Sequence, residues 1–335
     1  MNRRAFLAAC TAMGVAPNAL AQTAPPPRLP RFAGAASYSA DRDGAAFLVA
    51  RYGIVLAEDY PGGTRDARWR IGSGTRVFAP LLAASLVSDG LMSLDEPASM
   101  TLGEWGLDAA KSTISIRAIL NGTSGFAFDR HGDDDIAAAL ALTPVATPGD
   151  RFIDDAAAYV LLTEIARRKL LNSGRGNPDP AAYLTDRTLY PIGCVPIGWT
   201  RGADGAPRFD DGVEVSARGW TQVGELIRRE GIWRAAQLAD GATLREARLG
   251  SFAESHAGMG FFLAAGGPSR TPPTNSDLWR MRPSAPVDLA MAAGDGGQRL
   301  YLLPSMGVVI TRIARTLDPR DWSDAMFLSM VLHDL

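Results

Sequence analysis

The sequence predicts an α+β fold: an antiparallel sheet flanked by helices, with a mainly helical subdomain inserted into it. Three observations predict this. Paired apolar runs near the start read as a hairpin. Paired runs near the end read as a second hairpin. The long stretch between them carries helix signals. If the terminal strands share one sheet, the middle lies beside it and leaves a cleft where the two meet.

Ala46-Phe47-Leu48-Val49 and Ile54-Val55-Leu56 flank Tyr52-Gly53, so residues 45–60 read as the first hairpin. Ser73 to Ser88 reads as a helix that stops at Asp89-Gly90. Pro80 lies four residues after Arg76 and has no N–H for the Arg76 carbonyl, so this helix is expected to kink or begin late. A second apolar helix is expected from about Ala156 to Lys169. Asn172 to Arg187 is polar and rich in Gly and Pro, and reads as a surface loop. Gln298 to Arg312 forms the second hairpin, turning at Pro304-Ser305-Met306-Gly307. Trp322 to His333 closes the chain as an amphipathic helix.

The chain has 335 residues, enough to bury a large core. Apolar residues make up 47% and charged residues 21%, which suits a folded soluble domain. A net charge of −2 favours neither nucleic acid nor an anionic membrane. The cations are almost all arginine: Lys111 and Lys169 are the only lysines.

Residues 1–21 read as a signal peptide. Arg3-Arg4 precedes Phe6-Leu7 and an apolar run to Ala16, and Ala19-Leu20-Ala21 supplies small residues for cleavage. The paired arginines resemble a twin-arginine signal, which implies export to the periplasm or beyond. The run is only about 12 residues, too short to span a bilayer. Leu7-Ala8-Ala9-Cys10 offers a lipoprotein box as the alternative to cleavage after Ala21. Residues 22–34 read as a linker. Residues 35–335 read as a single domain, with its helical subdomain at roughly 80–215. Cleavage would leave Cys194 alone, which excludes a disulfide framework.

Six segments, in order, resemble the superfamily of serine β-lactamases, penicillin-binding proteins and related esterases, nearest its class C-like or 6-aminohexanoate-dimer-hydrolase-like branch. They are Phe47-Leu48-Val49 to Glu58-Asp59-Tyr60, Trp69 to Thr75, Asp89 to Pro97, Ile116 to Leu120 with Thr123-Ser124-Gly125, Pro148 to Phe152, and Ala293 to Arg299. The resemblance covers essentially the whole mature chain and implies the β-lactamase/transpeptidase-like fold. It also implies acyl transfer on small amides or esters. Ser73 is then the nucleophile, and the backbone N–H groups of Ser73 and Asp295 form the oxyanion hole. Gly294 and His256 are expected near the cleft.

Two positions depart from that pattern. Relatives carry Ser-x-x-Lys, whereas this chain reads Ser73-Gly74-Thr75-Arg76. A buried lysine can lose its proton and act as a base; arginine cannot. The second motif reads Phe152-Ile153-Asp154-Asp155-Ala156, with Asp154 where relatives place a tyrosine. Asp154 and Asp155 could cap the following helix. Alternatively, Asp154 forms a planar bidentate pair with Arg76, which would make it a poor base. No other Ser-x-x-Lys exists in the chain.

Other constellations are poorer. The histidines His131, His256 and His333 sit in no triad motif, and Gly-x-Ser-x-Gly is absent. Asp129 to Asp135 reads as an acidic loop before a metal site. No cofactor, metal, nucleic-acid partner or stable membrane span is expected, and no protein partner is indicated. Two functions remain: a serine hydrolase using Ser73, with Arg76 as an electrostatic aid and Asp154 or His256 as base, or a silent relative that binds a ligand or partner in the cleft.

Overall fold

The computed structural model describes residues 30–128, 135–196, 198–264, 276–278, 285–317 and 321–335. Residues 1–21, read as a signal peptide, the part of the expected linker up to residue 29, and Asp129 to Asp134 with His131 lie outside the described residues. Residues Arg31–Leu335 form one unit.

In chain order, α1 (Ala33–Ala40) precedes the hairpin β1 (Gly44–Arg51) and β2 (Ile54–Asp59), and β3 (Arg68–Arg70) follows. Next come α2 (Phe78–Ser88), α3 (Ile116–Leu120), α4 (Ile136–Ala141), α5 (Ala157–Asn172) and α6 (Pro180–Leu184). Short strands β4 (Gly198–Trp199) and β5 (Val213–Ser216) lead to α7 (Ala217–Arg228). The small hairpin β6 (Ile232–Trp233) and β7 (Ala236–Gln237) precedes α8 (Gly241–Glu246) and β8 (Phe262–Leu263). The chain ends with β9 (Ala290–Gly294), β10 (Gln298–Leu303), β11 (Val308–Ala314) and α9 (Asp324–Asp334).

The terminal hairpins do share one antiparallel sheet, ordered β2-β1-β11-β10-β9-β8. Burial follows the two-residue period of its strands. On β10, Leu300 and Leu302 face one core while Tyr301 and Leu303 face the other. One face packs against α1 and α9; the other receives α7 and the helical middle. Gly224 lets α7 lie close: a Cβ there would stand 2.8 Å from Val309 Cγ1. The first hairpin turns through Tyr52 (φ 51) and Gly53 (φ 80), both left-handed as a two-residue turn between twisted strands requires.

Three boundaries differ from the sequence reading. Helix α1 begins at Ala33, within the segment read as linker. The segment from Ser73 to Ser88 is not one helix: Gly72–Val77 form a 3₁₀ turn, and α2 starts at Phe78. Pro80 is then in the first turn of α2, where its missing N–H has no intrahelical partner to lose. Asn172 to Arg187 is not all loop. Asp179 Oδ1 accepts from the N–H groups of Ala181 (2.8 Å) and Ala182 (3.0 Å), Pro180 opens α6, and Leu184 is buried.

Candidate active site

The Ser73 turn is held from three sides. Thr75 Oγ1 donates to the Gly72 carbonyl (2.7 Å) and accepts from the N–H groups of Gly212 (3.0 Å) and Val213 (3.2 Å). Gly74 lies against Trp220 of α7: a Cβ there would stand 2.8 Å from the ring atom Cζ2. On the third side β9 presses in, and a Cβ on Gly294 would overlap the Ile71 carbonyl oxygen. The following helix α2 is buried from Phe78 to Leu86, so apolar packing anchors the turn from behind.

Ser73 opens into a narrow cleft lined also by Arg76, Asp154, Asp155, Tyr159 and Ala293. The Arg76 and Asp154 side chains meet, Nη1 to Oδ1, at 2.5 Å. The pair has one short contact where the sequence suggested two. Arg76 Nε is buried without a hydrogen-bond partner among the described residues. The guanidinium lies 5.2 Å from the centre of the Tyr159 ring. Burial disfavours the Arg76 cation, but Tyr159, Asp154, Asp210 and Asp155 together outweigh it and hold its pKa above the ordinary arginine value.

The two adjacent aspartates divide the alternatives between them. Asp155 Oδ1 accepts from the N–H groups of Ala157 (2.8 Å) and Phe128 (3.2 Å), which ties the start of α5 to the neighbouring loop. Asp154 is left to Arg76.

The Ser73 hydroxyl makes no hydrogen bond to a described residue. Tyr159, which the sequence reading missed, brings the second hydroxyl-bearing side chain to the cleft. Burial pushes its phenol well up, and Arg76 offsets this only in part. Its position in the first turn of α5, five residues beyond Asp154, was the available signal.

His256 is not brought into the cleft. It is buried, with Nδ1 3.1 Å from the Leu263 carbonyl, while its neighbours Ala257 and Gly258 line the cleft. Gly294 backs the Ser73 turn rather than lining the opening, where Ala293 stands instead. The Asp295 backbone nitrogen lies 3.5 Å from where a Gly72 Cβ would stand, and its Oδ2 lies 3.9 Å from the same point. His333, near the end of α9, is not among the cleft residues.

Both lysines are engaged elsewhere. Lys169 pairs with Glu96, and Lys111 lies over Trp105 with Nζ 3.2 Å from the Leu140 carbonyl. Cys194 is buried, and burial pushes its thiol up to about 12. Among the described residues no group of three or more His, Cys, Asp or Glu could hold a metal ion, and no helix is long and apolar enough to cross a membrane.

The Ser73 turn thus lies against β9 of a sheet held between helical layers, an α+β fold with a serine at its cleft. A family model described as Beta-lactamase matches residues 29–325, and the chain belongs to that family of serine hydrolases. Among solved structures it is similar to a putative beta-lactamase from Bacteroides dorei: 17% identity, 89% of this chain and 96% of that one, TM-score 0.68. It is similar to a putative 6-aminohexanoate-dimer hydrolase from Bacillus anthracis: 14% identity, 89% and 79% coverage, TM-score 0.65. A family VIII carboxylesterase aligns at 15% identity over 91% of this chain and 98% of that one, TM-score 0.67. No curated protein matches the chain.

Proposed function

We propose that the Ser73 cleft binds a small amide- or ester-bearing ligand and has lost the family's acyl transfer. The observation that carries this reading is the Arg76–Asp154 pair. The positions where the resemblance places a lysine base and a tyrosine hold a fixed cation and its counter-ion. Arginine keeps its own proton and cannot take that of Ser73, and the Asp154 carboxylate is turned onto the Arg76 guanidinium. The ligand class is that of two similar structures, the putative 6-aminohexanoate-dimer hydrolase and the family VIII carboxylesterase.

Asp154 is 42% exposed and shares the cleft with Ser73, which favours a second reading in which it serves as the base of a slow hydrolase. A fluorophosphonate probe and a generic ester separate the two. The binding reading expects no label on Ser73, with labelling gained in Arg76→Lys/Asp154→Tyr. Labelling of the unaltered protein that is lost in Asp154→Asn would establish the hydrolase instead.

The proposal includes export. Arg3-Arg4 ahead of Phe6-Leu7 supports a twin-arginine route to the periplasm. Arg3→Lys/Arg4→Lys should leave the full-length chain in the cytoplasmic fraction; unchanged export would remove this part.

A further inference from the structure

We propose that Arg299 is a positioning residue: through the Gly294 carbonyl it turns the backbone N–H of Asp295 toward the Ser73 turn.

Arg299 is buried behind the connection between β9 and β10. Its Nη1 donates to the carbonyls of Gly294 (2.8 Å) and Gln298 (3.0 Å), and its Nε to Asp324 Oδ1 (2.8 Å). Asp324 is fixed in turn, accepting from Tyr301 Oη (2.5 Å), Trp322 Nε1 (2.9 Å) and Ser276 Oγ (2.6 Å). A second buried guanidinium grips the same connection: Arg312 Nη1 donates to the carbonyls of Gly296 (2.7 Å) and Gly297 (2.9 Å). The carbonyls of residues 294, 296, 297 and 298 are therefore all drawn inward.

A trans peptide points its N–H opposite to its C=O. With the Gly294 carbonyl held by Arg299, the Asp295 N–H is directed away from the buried arginine. On that side lies the Ser73 turn, with the Asp295 nitrogen 3.5 Å from the Cβ position of Gly72. The guanidinium also polarises the peptide and strengthens its N–H as a donor. Packing alone is a poor account of two buried arginines. Apolar residues of similar volume commonly do as well in such places, and Arg312 meets carbonyls and Ser39 rather than a carboxylate.

Backbone amide spectra of the ¹⁵N-labelled full chain test this directly. In Arg299→Lys the ammonium is too compact to hold Asp324 and the Gly294 carbonyl together. The Asp295 amide proton should then move upfield while the amides of β1 and β2 stay in place. An unmoved Asp295 amide in a folded variant overturns the proposal. So does a general shift that merely follows a lowered melting temperature. If Arg299→Lys does not fold, hydrogen exchange in the unaltered protein decides. An Asp295 amide facing the cleft exchanges at least about tenfold faster than the amides of β10 and β11. Equal protection would overturn the orientation. Both readouts concern geometry, so they stand or fall separately from whether Ser73 turns anything over.

Discussion

A lysine at position 76 could surrender a proton in a buried site, whereas an arginine there has to be neutralised by a neighbour. Asp154 is that neighbour, and the dependence can be measured. Asp154→Ala leaves a mostly buried guanidinium with one short contact fewer. It should cost about 1–2 kcal/mol in urea unfolding, between the values for exposed and for buried pairs. The double variant Arg76→Ala/Asp154→Ala should lose less than the sum of the two single changes, and strict additivity would show that the pair is not coupled. At this scale the meeting of Arg76 with Asp154 was legible in the chain, because the resemblance sets both residues at motif positions. The arrangement around them was not. Tyr159 joins the cleft through the rotation of α5, and His256 leaves it because the Leu263 carbonyl holds its ring. Those are tertiary facts with no local signature.

The Ser73 turn shows the same limit for an element. The apolar run reads as a helix from residue 73, but Gly72–Val77 form a 3₁₀ turn, tightened by Thr75 and squeezed by Trp220. Gly74 therefore has a packing reason to lack a side chain. Gly74→Ala should cost about 1–3 kcal/mol by overpacking, seen as a lower urea midpoint. Adding Trp220→Phe, which removes the ring atoms nearest Gly74, should recover part of that loss; no recovery would place the strain elsewhere. Helix α6 was hidden for the opposite reason. Asp179-Pro180 is a sound helix start, but the surrounding Gly, Asn and Pro made it read as loop. The two hairpins were legible because alternation and turn residues are local properties, and register follows from them.

Across the whole molecule, charge rather than apolar pattern sets the most testable behaviour. The arginine-rich composition reappears as guanidiniums placed against carboxylates: Arg167 and Arg168 on Glu164, Arg168 on Glu104, Arg218 on Glu58, and Arg299 on buried Asp324. Burial raises the pKa of Glu164 and Asp324, but their arginine partners outweigh it, and both carboxyls titrate below their ordinary values of 4.5 and 3.8. Hydrogen bonds from Arg218 and Arg168 lower Glu58 and Glu104 in the same sense. A group whose folded pKa is depressed binds its proton more readily when unfolded. Its contribution is complete above the ordinary value and disappears as pH falls through the folded one. Stability should therefore be level near neutrality and decline below about pH 4.5 as these carboxyls protonate. Asp324 is the most deeply buried member of this set, and its loss of charge would strand Arg299. Asp324→Asn should lower the neutral-pH melting temperature and flatten the acid decline. If the variant keeps the full acid slope, the pH dependence belongs to the other arginine–carboxylate pairs and not to the network behind the β9–β10 connection.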